Sequence, residues 1–441
     1  MSWRTIPAIA LIPLLLAPNS VRQEVPSWIG RKVVTKWQTP LRVGTQIADD
    51  NTEFRVYTVD RVKGDWLSLV FAPGNVSGWV RSAKVVPFDE AIDYYTREIR
   101  ANPDSAYPYV GRGLIWREKG ETEIAIADFD DAIRLEPTYG GAYINRGLAW
   151  TDQKKYHEAI ADFNRAIRCD PASSGGFQKR GVAWICLNEY GKAMADLDEA
   201  IRLGPKDFYG WINRGYVWSK KQEYDKAIAD LNETIRLNPK FSPAWNSRGY
   251  AWLQKKEYDK AIADYSEAIR LDPKDPIAWF DRGHAQFQKA EYDKAITDFS
   301  ESIRLNPNDA DTFGARGYSW SLKRDYAKAI ADYEESIRLD DPKLGNAFVN
   351  RAWLWATCPD EKYRDGKRAV ESATLACEMS HWKVASQLKT LAAASAEVGD
   401  FAKAVEFQEK ANTLEDEAEE KRQGEERLAG YRSKKPFRTA P

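Results

Sequence analysis

The chain is written in a repeating unit. Its 34 residues, plainest in Ser242 to Asp275, recur without a gap, so that an Arg-Gly pair falls at Arg112-Gly113, Arg146-Gly147, Arg180-Gly181, Arg214-Gly215, Arg248-Gly249, Arg282-Gly283 and Arg316-Gly317. A strict period of this length argues against one central core: each unit buries its apolar face only against the next, and the units stack as a solenoid. Positions 4, 8 and 11 of the unit, counted from Ser242 as position 1, are spaced by four and three and share one face of a first helix. Pro137, Pro171, Pro205, Pro239, Pro273 and Pro307 close a second helix, which proline cannot continue.

The unit carries Trp245, Gly249, Trp252, Ala261, Tyr265, Ala268 and Pro273 at positions 4, 8, 11, 20, 24, 27 and 32. In these residues it resembles the tetratricopeptide repeat (TPR). The resemblance implies an all-α solenoid, a right-handed superhelix of helix pairs, whose concave groove holds a segment of a partner protein. Trp116, Trp150, Trp184, Trp218, Trp252 and Trp320 recur at position 11 and are expected in the core. The sixth repeat has Gln286 there, with Phe287 beside it, so its packing is expected to differ.

The chain before the repeats reads differently. Residues 1–23 hold an apolar run from Ile6 to Ala17 after one positive charge, too short to span a bilayer but suited to a signal segment. The expected location is therefore exported (periplasmic, envelope or secreted), with the cytoplasm as the alternative. From 31 to 88 the period becomes two, bounded by turn residues, which signals strands. The order V-V-T-K, P-L-R-V-G, G-D-W-L-S-L-V and G-W-V-R-S-A-K-V-V, with Trp66 and Trp79, resembles a small all-β bacterial SH3-like barrel. Such domains bind peptides or cell-wall material, or serve as spacers.

A half-repeat cap helix is expected over 89–105, seven repeats over 106–341, two degenerate units over 345–413, and a charged helix with a loose basic tail over 414–441. A barrel joined to such an array resembles repeat proteins of planctomycete type.

Net charge is −1, which leaves no basic footprint for nucleic acid; residues 31–88 carry +4 against −6 over 89–441, a mild asymmetry. His157, His284 and His381 stand far apart without metal-ligand spacing, and phosphate-binding glycine loops and nucleophile elbows are absent. Cys169, Cys186, Cys358 and Cys377 show no C-x-x-C spacing and read as buried free thiols, with a Cys358–Cys377 bridge as the alternative in an exported protein. The expectation is a non-enzymatic scaffold with a protein or peptide partner and no cofactor or metal. The rival reading is an envelope protein whose barrel binds peptidoglycan, with the solenoid as spacer. Self-association is left open by the sequence.

Two patterns within the repeat go further. Position 7, usually Leu in TPRs, is Arg in seven successive repeats, and position 23 is Asp in the same seven: Asp128, Asp162, Asp196, Asp230, Asp264, Asp298 and Asp332. In the ninth unit both change together, to Leu391 and Phe407, so the pattern predicts an interhelical ion pair replaced there by an apolar pair. Positions 2, 5, 9 and 12 lie on the face that lines the groove in TPR proteins. The carboxylate clamp of chaperone-binding TPRs needs Lys at 5 and Asn at 9, and no repeat has both. The candidate partner-binding residues are instead Leu114, Leu148, Ile212, Tyr216, Tyr250, Phe280, His284, Tyr318 and Trp353, apolar early in the array and aromatic later. The alternative is that these rings only pack on one another.

Overall fold

The computed structural model describes residues 28–36, 41–43, 46–49, 56–71, 76–339 and 345–439. The apolar segment over 1–23 lies outside the described residues, as does the frame shift at Asp340-Asp341. The chain divides into two compact units, 1–137 and 138–441.

The first unit begins with seven short strands: β1 (Lys32–Thr35), β2 (Leu41–Val43), β3 (Gln46–Asp49), β4 (Val56–Lys63), β5 (Trp66–Phe71), β6 (Val76–Arg81) and β7 (Val85–Pro87). They pair antiparallel in the order β3-β2-β6-β5-β4-β1-β7. Gly64 has a φ of +59° in the two-residue turn between β4 and β5, a left-handed conformation that tight hairpins require and glycine adopts without strain. Alternation sends Val33, Tyr57, Val59, Leu67, Leu69, Val80 and Val85 into one core, where cross-strand pairs such as Val33–Tyr57, Val59–Leu69 and Leu67–Val80 meet. Three helices follow: α1 (Ala91–Ala101), α2 (Ala106–Glu118) and α3 (Thr122–Leu135). Tyr95 of α1 lies so close beneath Gly111 of α2 that a Cβ there would stand 2.5 Å from its ring.

The second unit is helical throughout. It comprises α4 (Gly140–Asp152), α5 (Tyr156–Cys169), α6 (Ser174–Cys186), α7 (Tyr190–Leu203), α8 (Phe208–Lys220), α9 (Tyr224–Leu237), α10 (Ser242–Gln254), α11 (Tyr258–Leu271), α12 (Pro276–Gln288), α13 (Tyr292–Leu305), α14 (Ala310–Leu322) and α15 (Tyr326–Leu339). It continues with α16 (Gly345–Thr357), α17 (Gly366–Met379), α18 (Ala385–Glu397), α19 (Phe401–Leu414) and α20 (Ala418–Arg432). Helices pair two by two, each pair packs on the next, and the first helices of successive pairs also touch one another. The result is an all-α solenoid preceded in the chain by a small antiparallel sheet.

The turn inside each pair except α16–α17 uses a left-handed residue at position 15. Lys154, Asn188, Gln222, Lys256, Ala290 and Arg324 have φ between 58° and 64°, and Gly399 has 83°. The close approach at position 8 is equally specific: a Cβ on Gly249 would lie 2.8 Å from the Tyr265 ring.

Three expectations need correction. The tryptophans at position 11 are half-buried rather than fully in the core, because in most of these repeats a lysine of the second helix covers the ring's outer face. The ammonium groups of Lys192, Lys226, Lys260 and Lys328 stand 4.5, 4.5, 4.5 and 4.2 Å from the Trp184, Trp218, Trp252 and Trp320 rings, an arrangement that needs one open indole face. The tail is not loose over its described residues. Phe437 packs among Ala392, Ala396, Ala404 and Tyr431, and Thr439 donates its backbone N–H to the Thr357 carbonyl at 3.0 Å. The thiols are free as expected, but only two are buried: Cys358 and Cys377 lie in different apolar clusters, while Cys169 and Cys186 are exposed.

Candidate functional site

The first helices are oriented by the Arg-Asp ladder. Arg248 donates from Nε and Nη2 to the two carboxylate oxygens of Asp264, both at 2.7 Å, a bidentate pair. The same two-pronged geometry joins Arg112 to Asp128, Arg146 to Asp162, Arg180 to Asp196, Arg214 to Asp230, Arg282 to Asp298 and Arg316 to Asp332. The aspartates are 3–6% exposed. Burial pushes the Asp128 carboxyl up despite the pull of Arg112, whereas the Asp230 hydrogen bond holds Arg214 well above its usual range.

The ladder reaches further than the sequence pattern indicates. The remaining nitrogen, Nη1, crosses to position 25 of the preceding repeat: Arg180 to Asn164 at 2.5 Å, Arg214 to Asp198 and Arg248 to Asn232 at 2.7 Å, Arg282 to Ser266 at 3.1 Å and Arg316 to Ser300 at 3.0 Å. The guanidinium also lies over the ring at position 4, for instance Arg248 at 4.8 Å from Trp245. Each of these five arginines thus ties two helices of its own repeat to the second helix of the one before. In the eighth unit Ser372 replaces the aspartate, and Arg351, its pKa lowered by burial, is left with the Ser372 hydroxyl at 3.2 Å and Glu334 at 4.0 Å. In the ninth, Leu391 and Phe407 meet in one apolar cluster.

With the first helices so held, position 9 faces outward at several points. Tyr216, Tyr250 and Tyr318 are 44%, 43% and 43% exposed. Phe280 and His284 are half-buried, with ring centroids 6.4 Å apart, and burial lowers the His284 pKa. Leu148 and Ile212 are half-buried within apolar clusters, and Leu114 in the first unit is buried and offers a partner little surface. Trp353 is covered by the tail, its ring 5.7 Å from that of Phe437. The structure does not make one continuous aromatic strip of these residues. Tyr318 does meet Phe287, which projects from the sixth repeat, where Gln286 stands at position 11, with ring centroids 5.5 Å apart.

A polar group set among these rings was not evident from the repeat pattern. Asp281 is part-buried and accepts a hydrogen bond at 3.0 Å from the amide nitrogen of Asn246 on the preceding first helix. Burial raises its pKa to about 6; the Asn246 bond pulls the other way, and Asp275 adds repulsion. The Asn246 amide oxygen is buried without a partner, as is the hydroxyl of the fully buried Tyr265. The available signal was composition at position 6, which reads Gly111, Asn145, Lys179, Asn213, Ser247, Asp281 and Ala315, with one carboxylate among seven residues.

Sequence models of the repeat match this array. Those described as tetratricopeptide repeat cover residues 141–173, 276–309, 88–138 and 187–240, and one described as TPR repeat covers 249–290. The array is built of tetratricopeptide repeats. No curated protein matches the chain. Among solved structures, YrrB, described as a TPR protein with an unusual peptide-binding site, is 23% identical over 42% of this chain and 95% of its own, with a TM-score of 0.34. A tetratricopeptide repeat protein from Parabacteroides merdae is 19% identical over 54% and 93%, and PilF of Pseudomonas aeruginosa 19% over 48% and 96%, both with a TM-score of 0.44. These likenesses concern the TPR fold alone.

Proposed function

We propose that the protein is a non-enzymatic scaffold that holds an extended or helical segment of a partner protein on the first-helix face of its TPR array. The observation that carries this reading is the row Tyr216, Tyr250 and Tyr318, half-exposed on alternate or successive first helices beside Phe280 and His284. Aromatic side chains placed this way are the residues that dominate protein interfaces. Changing all three tyrosines to Ser is expected to abolish capture of the physiological partner while the melting temperature stays within a few degrees. A photo-crosslinking residue at 250 should trap that partner and one at exposed Arg270, on the second helix of the same repeat, should not. Equal trapping at both positions, or a triple variant that still binds, would refute the assignment.

A second reading rests on the sheet. Trp66 is 40% exposed with the Arg81 guanidinium 5.4 Å from its ring, and Arg61 lies 5.8 Å from Trp79. Under this reading the strands form an SH3-like domain that binds peptidoglycan in an exported protein of planctomycete-type architecture. Co-sedimentation of the full chain with purified sacculi, lost in Trp66→Ala, would support it. Recovery solely in the cytoplasmic fraction would remove it.

A further inference from the structure

Among the described residues Asp281, unlike every ladder aspartate, is paired with no cation. Among the described residues its one hydrogen-bond partner is the Asn246 amide, and the unpaired groups beside it are an amide oxygen that accepts and a phenol that can donate and accept. Because the Asn246 nitrogen must face the carboxylate, the amide's buried oxygen is left as a lone-pair acceptor with no donor. The Tyr265 hydroxyl is fully buried and unpartnered, and Asp281 is the charge acting on it most strongly. Tyr250, half-exposed one helical turn along α10 from Asn246, also acts on Tyr265. An ionised carboxylate out of water without a counter-charge is costly, and natural proteins pair such groups.

The chain's own tail shows which chemistry this face accepts. Phe437 lies against Trp353, the position-9 residue of α16, and Arg438 forms an ion pair with Glu397 of α18 at 2.5 Å without a well-angled hydrogen bond. Arg438 also donates to the Ala356 carbonyl at 3.3 Å. A basic side chain is thus already seated on a first-helix carboxylate beside an aromatic ring.

We propose that Asp281, Asn246 and Tyr265 form a receptor for a basic side chain, the ammonium of lysine or the guanidinium of arginine, carried by the partner segment that occupies the aromatic face. Such a cation brings several donors and no acceptor, which matches the carboxylate, the orphan amide oxygen and the phenol oxygen. Tyr250 would supply a ring face for the methylene stem and the charge. This inference rests on the groove reading above and adds the charge of the ligand.

The test uses the full chain and a fluorescently labelled hexapeptide of the tail's own sequence, Lys434 to Thr439, added in trans and followed by anisotropy. A neutral analogue carries norleucine and citrulline in place of its lysines and arginine. Single-lysine and single-arginine versions tell ammonium from guanidinium. The expected result is that Asp281→Asn weakens the charged peptide at least tenfold and the neutral analogue binds the unaltered protein equally weakly. Glu397→Gln, which loosens the tail's own seat and the 3.0 Å pair between Glu397 and Arg364 but leaves Asp281 untouched, should not remove the Asp281-dependent binding. Thermal melts verify that Asp281→Asn is folded. If the neutral analogue binds as tightly as the charged peptide, or Asp281→Asn binds within twofold, the cation receptor is overturned while the groove reading stands. If neither peptide binds, and crosslinking at 250 traps nothing, both are overturned.

Discussion

Arg248→Leu tests what holds the array together. The substitution removes two 2.7 Å charge-assisted hydrogen bonds to Asp264, the 2.7 Å bond to Asn232 of the preceding repeat and the contact with the Trp245 ring. Asp264 is 5% exposed, so it is left as a buried carboxylate without its cation. Breaking a buried pair from one side costs roughly 3–5 kcal/mol, whereas replacing both partners by apolar groups is often neutral. The ninth unit has made that double replacement already, with Leu391 and Phe407. Arg248→Leu combined with Asp264→Phe is therefore expected to recover most of the loss, short of the Asn232 bond, worth about 1.5–3 kcal/mol as a bond to a charged group. Because repeats are coupled through their interfaces, native-state hydrogen exchange of α9 to α12 is the sensitive assay, alongside urea denaturation. Protection in the single variant should fall in both the fourth and fifth repeats. Equal stability of single and double variants, or a loss confined to the fifth repeat, would refute the cross-repeat account.

Asp281→Asn should stabilise the free protein, and the sign follows from its raised pKa of about 6 against an ordinary 3.8. The native state holds this proton more firmly than the unfolded chain, so stability falls as pH rises through that window and the penalty, roughly 3 kcal/mol for two pKa units, is complete above it. The groups acting on it are Asn246 and Asp275, and it acts in turn on Tyr265. Denaturation at pH 7.5 should show the gain, and at pH 4 it should vanish; a pH-independent effect would contradict the assignment. Ser372→Asp should return the missing carboxylate to Arg351 and stabilise the eighth repeat by about 1.5–3 kcal/mol, read by urea denaturation, and no gain would mean that Glu334 already satisfies the arginine.

The period alone determined the helix pairs, their turns and their order, because a unit that cannot bury its own apolar face must repeat the same contacts. It also determined the Arg-Asp pairing, since two positions that keep opposite charges through seven repeats and turn apolar together in the ninth are read as partners. Tertiary structure decided what lies between repeats. The Nη1 bonds to position 25 join residues whose identity varies among Asn, Asp and Ser, so no single pattern announces them. The half-burial of the tryptophans depends on lysines of the second helix folding over them, and long side chains choose their cover only in three dimensions. The tail reads as charged and solvated, yet Phe437 and Arg438 find a ring and a carboxylate on helices far away in sequence. Asp281 is one acidic residue among many in the sequence; the approach of Asn246 and Tyr265 from neighbouring helices removes it from water and makes its charge consequential.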